Sequence, residues 1–329
     1  MEHVKKTAQD NFKKLKFGMF IHFGLYSQGE EHEWHMYRHR MKHDKYRDQF
    51  LHSFNPDPNG MEQWVKTAKD MGARYIVCTS KHHDGFCLWN TAVEHDVDPQ
   101  FHIKNTMFYE TNGQDVLHYL FEAGRKHRIR IGLYYSTIDW SWTQIEKKWL
   151  RPQPHVNKKH PELHRKYIKY YHDQVLELVK RFPDLLLLWF DGYQFNGGLL
   201  DYLEYAPLYE KINELNAEVL IGNNSGTART MKNMGNTDFL LFENMAHRGE
   251  QTGAPWPRPT DLPGEVCLTI NNHWGWNAKD KNYKDPQSMK TLVARNAEKE
   301  ANTLLNFGPK PNGYIGDEQV EIARKIGRL

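Results

Sequence analysis

At 329 residues, with 39% hydrophobic and 26% charged residues and a formal net charge of only +3, the chain can bury one large core and has no basic field to hold a phosphate backbone. No apolar run approaches the ~18 residues that a membrane helix needs, so neither nucleic acid nor a membrane is an expected partner. Three cysteines, Cys78, Cys87 and Cys267, lack metal-ligand spacing and cannot form a disulfide framework. Residues Met1–Lys16 are polar and mixed in charge, without the apolar segment of a secretory signal, which gives a cytoplasmic expectation.

The first candidate strand, Phe17–Phe23, carries His22 at its end, and a long loop, Gly24–Gly60, follows with Glu33-Trp34 in it. In the same loop His35, His39 and His43 stand at i, i+4 and i+8, one face of a helix if that segment is helical. A helical pattern at Met61–Met71 leads to the strand Arg74–Ser80 and then to Lys81-His82-His83-Asp84-Gly85-Phe86. Adjacent histidines leaving a strand point in different directions, which suits hydrogen bonds to ligand hydroxyls better than joint chelation. Asp115–His127 reads as a helix, Ile129–Tyr135 as a strand and Pro161–Arg181 as a helix. The aliphatic run Leu185–Asp191 is a fourth strand, buried on both faces, that ends in an acid followed by Gly192. Its carboxylate should stand at the strand's mouth, with Trp189 on the same side by the period of two.

Leu203–Leu215 is the next helix, and Val219–Asn223, Phe239–Glu243 and Val266–Asn271 are strands five to seven. No helical pattern separates the sixth from the seventh; His247–Gly264 is instead rich in Pro and Gly. A helix at Met289–Glu300, a strand at Leu304–Phe307 and a helix at Asp317–Arg328 complete the chain. Eight strands alternating with helices predict an α/β protein, a (β/α)8 barrel of one domain over residues 1–329, irregular around strands six and seven. Polar aromatic residues gather just after the strands, where barrels build their sites. Ten Trp, 17 Tyr and 19 His suit sugars, since aromatic faces stack on ring C–H faces and imidazoles reach hydroxyls.

Phe17-Gly-Met-Phe-Ile-His-Phe-Gly-Leu-Tyr-Ser, Lys81-His-His-Asp-Gly-Phe, Gly132-Leu-Tyr-Tyr-Ser, Leu188-Trp-Phe-Asp-Gly, Thr269-Ile-Asn and Leu304-Leu-Asn-Phe-Gly-Pro resemble, in this order, the motifs of family 29 α-L-fucosidases. The resemblance spans essentially the whole chain. It implies hydrolysis of terminal α-L-fucosyl linkages of oligosaccharides or glycoconjugates, with retention and without a metal or other cofactor. It implies that Asp191 is the nucleophile and carries sugar contacts onto His22, Glu33, Trp34, His82, His83, Tyr134 and Trp189, with Tyr135 the alternative to Tyr134. Trp274 matches an aromatic position near the fucose methyl group. Glu243, four residues beyond Asp238-Phe, resembles the general acid/base, and Glu265 is its rival.

The chain departs from the family pattern in two places. Asn223-Asn224-Ser225 stand where members often carry an Arg, which only Arg229 nearby could replace. The chain also stops at Leu329 with the last barrel helix, without the β-sandwich that many relatives add. The rim loops Glu30–Asp48 and Ala246–Pro263 are rich in aromatics and His, from which a homo-oligomer that buries them is expected. Two competing readings are a metal-dependent barrel hydrolase using His35, His39 and His43, and a barrel that binds sugar without turning it over.

Overall fold

The computed structural model describes residues 2–142, 161–192, 203–224, 237–243 and 262–329. Its eight strands are β1 Phe17–Ile21, β2 Tyr75–Lys81, β3 Arg130–Ser136, β4 Leu187–Asp191, β5 Leu220–Asn223, β6 Leu240–Glu243, β7 Gly264–Thr269 and β8 Ala301–Phe307. All pair in parallel, in the order β5-β4-β3-β2-β1-β8-β7-β6. The sheet therefore closes into a barrel except at one seam, where β5 and β6 form no ladder. Every expected strand is present within a few residues. The irregularity falls at β6, on the side expected, where its edge meets β5; β6 and β7 pair in register, and most of the Pro- and Gly-rich stretch between them lies outside the described residues.

The period of two divides the apolar residues between two cores. Phe20, Val77, Tyr134, Trp189 and Leu304 point inward and fill the barrel, while Met19, Ile76, Leu133, Leu188 and Leu305 face the helices. Around the outside run α1 Glu2–Leu15, α2 His35–Arg38, α3 His43–Phe50, α4 Asn59–Met71, α5 Met107–Asn112, α6 Val116–His127, α7 Pro161–Arg181, α8 Tyr205–Leu215, α9 Pro286–Glu298 and α10 Asp317–Arg328. Asp115 caps α6 and Asp285 caps α9 through hydrogen bonds to the backbone N–H groups of His118 and Ser288, which is why both helices start where they do. No described helix is long and apolar enough to cross a membrane.

Helix α1 is exposed or half-buried along most of its length, and its one buried side chain packs on the inner core. Its Phe12 is fully buried against Tyr75 and Phe239, with ring centroids 5.6 and 5.0 Å away. Its Lys5 reaches the seam, where Nζ donates to Asp238 Oδ2 at 2.7 Å and to the Val219 carbonyl at 2.5 Å. Asp238 in turn accepts from the Ile221 N–H at 2.8 Å, and its own N–H donates to the Ile221 carbonyl at 2.7 Å. Gly222 lets the Phe239 ring cross this gap; a Cβ there would lie 2.3 Å from the ring. Side chains and one backbone bond thus hold the edges that a ladder would otherwise join.

Candidate active site

At the carboxyl end of the strands opens a pocket of about 460 Å³, mouth included, lined by Phe20, His22, Glu33, Trp34, His82, His83, Tyr134, Trp189, Asp191, Asn224, Glu243 and Trp274. All ten site residues named from the sequence are among them. Phe20 and Asn224 were not named.

Asp191 ends β4, and among the described residues its carboxylate accepts hydrogen bonds from three donors. Tyr134 Oη donates to Oδ2 at 2.7 Å, while the Gly192 N–H and Asn224 Nδ2 donate to Oδ1 at 2.7 and 3.2 Å. Gly192 is at φ 101°, a conformation that glycine adopts without strain and that turns its N–H back onto the carboxylate. The choice between two tyrosines follows from the pleat: Tyr134 points inward, and Tyr135 points outward to donate to Gln174 at 2.8 Å.

Glu243 ends β6 across the seam. Asn224 Nδ2 donates to its Oε2 at 2.8 Å, so one amide nitrogen bridges both carboxyl groups. Those two distances set a ceiling of about 6 Å on the gap between the bridged oxygens, which is compatible with the ~5–5.5 Å of retaining glycosidases. Burial, then the nearby charge of Asp191, pushes the Glu243 carboxyl up from 4.5 to about 7, against the opposing pull of the Asn224 bond. At neutral pH this group can hold a proton to give.

Glu265 occupies a different place. It is fully buried inside the barrel, accepting from Tyr75 Oη at 2.5 Å and from Trp189 Nε1 at 3.0 Å, and it does not line the pocket. A residue near the start of β7 lies too deep to reach a leaving group. Its role is to hold Trp189 from below.

Three histidines from two strands converge above. Asn306 Nδ2 donates to the Trp274 carbonyl at 2.7 Å, so Asn306 Oδ1 is the acceptor facing His22 Nδ1, also at 2.7 Å. The proton of His22 therefore resides on Nδ1, leaving Nε2 to accept. Ser136 Oγ donates to the Ile138 carbonyl at 2.8 Å and so accepts from the Nδ1–H of His83 at 2.7 Å. His83 Nε2 lies 3.7 Å from Asp191 Oδ2. His82 Nδ1 is buried and has no hydrogen-bond partner among the described residues, an atom that a ligand hydroxyl would satisfy. Burial holds His22 at about 3 and His83 at about 4, and His82 well below the usual range. All three are neutral at pH 7, able both to donate and to accept.

Aromatic faces complete the walls. Trp189 stacks on Tyr134 at 5.5 Å, and Trp274 packs on His22 at 5.1 Å and on Phe20 at 6.0 Å. The Glu30–Asp48 loop folds back over this face: Glu33 is buried and accepts from the Gly275 N–H at 2.8 Å, while Trp34 packs on His83 and Trp140. Burial is the main cause of the raised pKa of Glu33.

The continuous helix that would align His35, His39 and His43 does not form. Helix α2 stops at Arg38, Arg40 takes φ 50°, and α3 starts at His43, whose Nε2 is 2.9 Å from Asp98. The three histidines are therefore not one metal site, and none of them lines the pocket. Arg229 and most of the Ala246–Pro263 loop lie outside the described residues. Cys78, Cys87 and Cys267 are buried free thiols.

The family model of α-L-fucosidase matches residues 1–329. A solved α-L-fucosidase isoenzyme 1 from Paenibacillus thiaminolyticus is 30% identical and superposes with a TM-score of 0.80, covering 99% of this chain and 75% of its own. The plasma α-L-fucosidase of Homo sapiens is 28% identical over 96% of this chain and 66% of its own length. A family 29 α-L-fucosidase from Bacteroides thetaiotaomicron, solved as a trapped covalent intermediate with 2-fluoro-fucosyl fluoride, shares the fold at TM-score 0.78 and 23% identity, covering 98% of this chain and 74% of its own. The chain spans 52% of the length of the Arabidopsis thaliana α-L-fucosidase 1 and 66% of that of the human plasma enzyme. The chain belongs to the α-L-fucosidase family.

Proposed function

We propose that this chain is a retaining exo-α-L-fucosidase that removes terminal α-L-fucosyl residues from oligosaccharides or glycoconjugates by double displacement. The observation that carries this reading is the bridged carboxyl pair, whose close approach suits direct attack by one group and proton donation by the other. Asp191, held by its three donors, attacks the anomeric carbon, and the bond to the aglycone oxygen breaks as Glu243 delivers its proton. Glu243 then takes a proton from water, which attacks the same carbon and frees Asp191. The covalent intermediate trapped in the Bacteroides fucosidase supports the first step by analogy. Neutral His22, His82 and His83 hold the ring hydroxyls, Trp189 forms the wall beneath, and Trp274 offers the apolar face that the C5 methyl requires.

The decisive experiment is azide rescue. Asp191→Gly should lose on the order of 10⁴-fold or more in kcat on an aryl α-L-fucoside, and azide should restore turnover with a β-L-fucosyl azide product. An azide product of retained configuration would remove Asp191 from the nucleophile's role.

We further propose self-association, on narrower ground than the sequence offered. The Glu30–Asp48 loop covers its own barrel and leaves Tyr37, 36% exposed and stacked on Trp140, as the aromatic at the rim that a second copy would cover.

A further inference from the structure

We propose that Glu31, His35 and His39 form a binding site for a divalent transition ion of the zinc type, on the pocket rim and separate from the reacting carboxyl groups. The ligand atoms of the three residues all lie within 4.8 Å of one another. His35 and His39 are one helical turn apart, the His39 N–H bonding the His35 carbonyl at 3.0 Å, with ring centroids 4.5 Å apart. Both rings face the same carboxylate oxygen. His39 Nε2 contacts Glu31 Oε2 directly, and His35 Nδ1 stands 3.5 Å from that oxygen.

His35 supplies the observation that a simple ion pair does not explain. Its ring is nearly buried, and Nδ1 makes no well-aligned hydrogen bond among the described residues. A buried imidazole nitrogen beside a carboxylate, left without a hydrogen bond, is a poor way to end a loop but a good way to hold a cation. Burial keeps this ring below its usual range, and His39 keeps the Glu31 carboxyl below its own. Near pH 7 the cluster therefore presents a lone pair on His35 and a negative carboxylate. Binding would replace the His39–Glu31 contact with a bond from each group to the ion.

Two imidazoles and one carboxylate are a zinc-type donor set, whereas calcium and magnesium take oxygen alone. Glu31 and His39 are solvent-exposed on one side, which leaves a fourth position for water. The groups that face the cluster also include cations: Lys279 acts on Glu31, and Arg38 acts on neighbouring His32. They lower the affinity relative to a closed structural site without blocking it, because solvent screens them. The placement has a functional meaning. Glu33 and Trp34, both pocket walls, lie in the chain between the ligands, so an ion joining residue 31 to the turn at 35–39 would brace the segment that carries them.

The test uses the full chain without a histidine tag, stripped with a chelator and titrated with Co²⁺ by visible absorption and with Zn²⁺ by calorimetry. One ion per chain and a cobalt band are expected. Glu31→Gln and His39→Ala, both at exposed positions that should leave folding intact, should each weaken binding by roughly 100-fold, at least as much as losing an outer-shell partner costs. Absence of a cobalt band in the wild type, or equal affinity in wild type and both variants, would overturn the site. Binding is read without substrate, so the result stands apart from the proposed turnover.

Discussion

Asn224 stands where the sequence comparison left a doubt, in place of an arginine, and the structure gives it one N–H for each carboxyl group of the proposed reacting pair. An N–H directed at Glu243 favours the ionised form, so Asn224 tempers the rise that burial and Asp191 impose on that group. In the wild type kcat should fall as pH rises through about 7, where Glu243 loses the proton it must donate. In Asn224→Ala that alkaline limb should move to higher pH while kcat falls by roughly tenfold or more, the worth of a hydrogen bond to a charged group; a limb left in place would deny Asn224 this role. Glu265 gives a contrasting prediction. Burial raises its carboxyl from 4.5 to about 7, so its contribution to stability is full below pH 4.5 and is lost as pH climbs toward 7. Glu265→Gln removes the titration. Denaturant melts between those pH values should show the wild type losing roughly 3 kcal/mol relative to the variant, and parallel pH profiles would mean that Glu265 does not titrate in the fold. Asn224 was not legible in the sequence because its meaning depends on two acids from different strands; a lone Asn after a strand reads as an ordinary turn residue. Asp191 was legible because an aliphatic strand ending in Asp-Gly places its own carboxylate.

At the level of elements, strands buried on both faces, such as Leu187–Asp191 and Tyr75–Lys81, announce themselves by the apolar runs Leu185–Phe190 and Tyr75–Cys78, and the longer amphipathic helices by their period. Pro161–Arg181 and Asp317–Arg328 have the same bounds in sequence and structure. Helix α1 escaped because its only fully buried side chain is Phe12, too little apolar surface to draw a face on a polar segment. The short helices of the Glu30–Asp48 loop escaped because a break at Arg40 interrupts any period. Yet α1 matters more than its pattern suggests, since Lys5 and the Asp238 it pairs with are both largely buried at the seam. Asp238→Ala strips the Ile221 N–H and the Lys5 ammonium of their partner together, and breaking such a buried pair from one side costs roughly 3–5 kcal/mol. Urea unfolding at constant m-value measures it, and a loss under about 1 kcal/mol would show that water replaces the carboxylate there.

For the molecule as a whole, self-association is checked by light scattering at assay concentration: a multiple of 39.0 kDa is expected, and a stable single mass would retire the proposal. Tyr37→Ser should shift the equilibrium toward single chains if the rim is the contact. The seam between β5 and β6 has a different reach. Asp191 ends β4 on one side of it and Glu243 ends β6 on the other, so the carboxyl spacing that separates retention from inversion crosses the one place where the wall lacks a ladder. Elsewhere in the barrel that distance would be as stiff as a sheet. Here it is spanned by one amide side chain, a lysine–aspartate clasp and a single backbone bond, so side chains rather than a ladder set how far the two carboxyl groups stand apart.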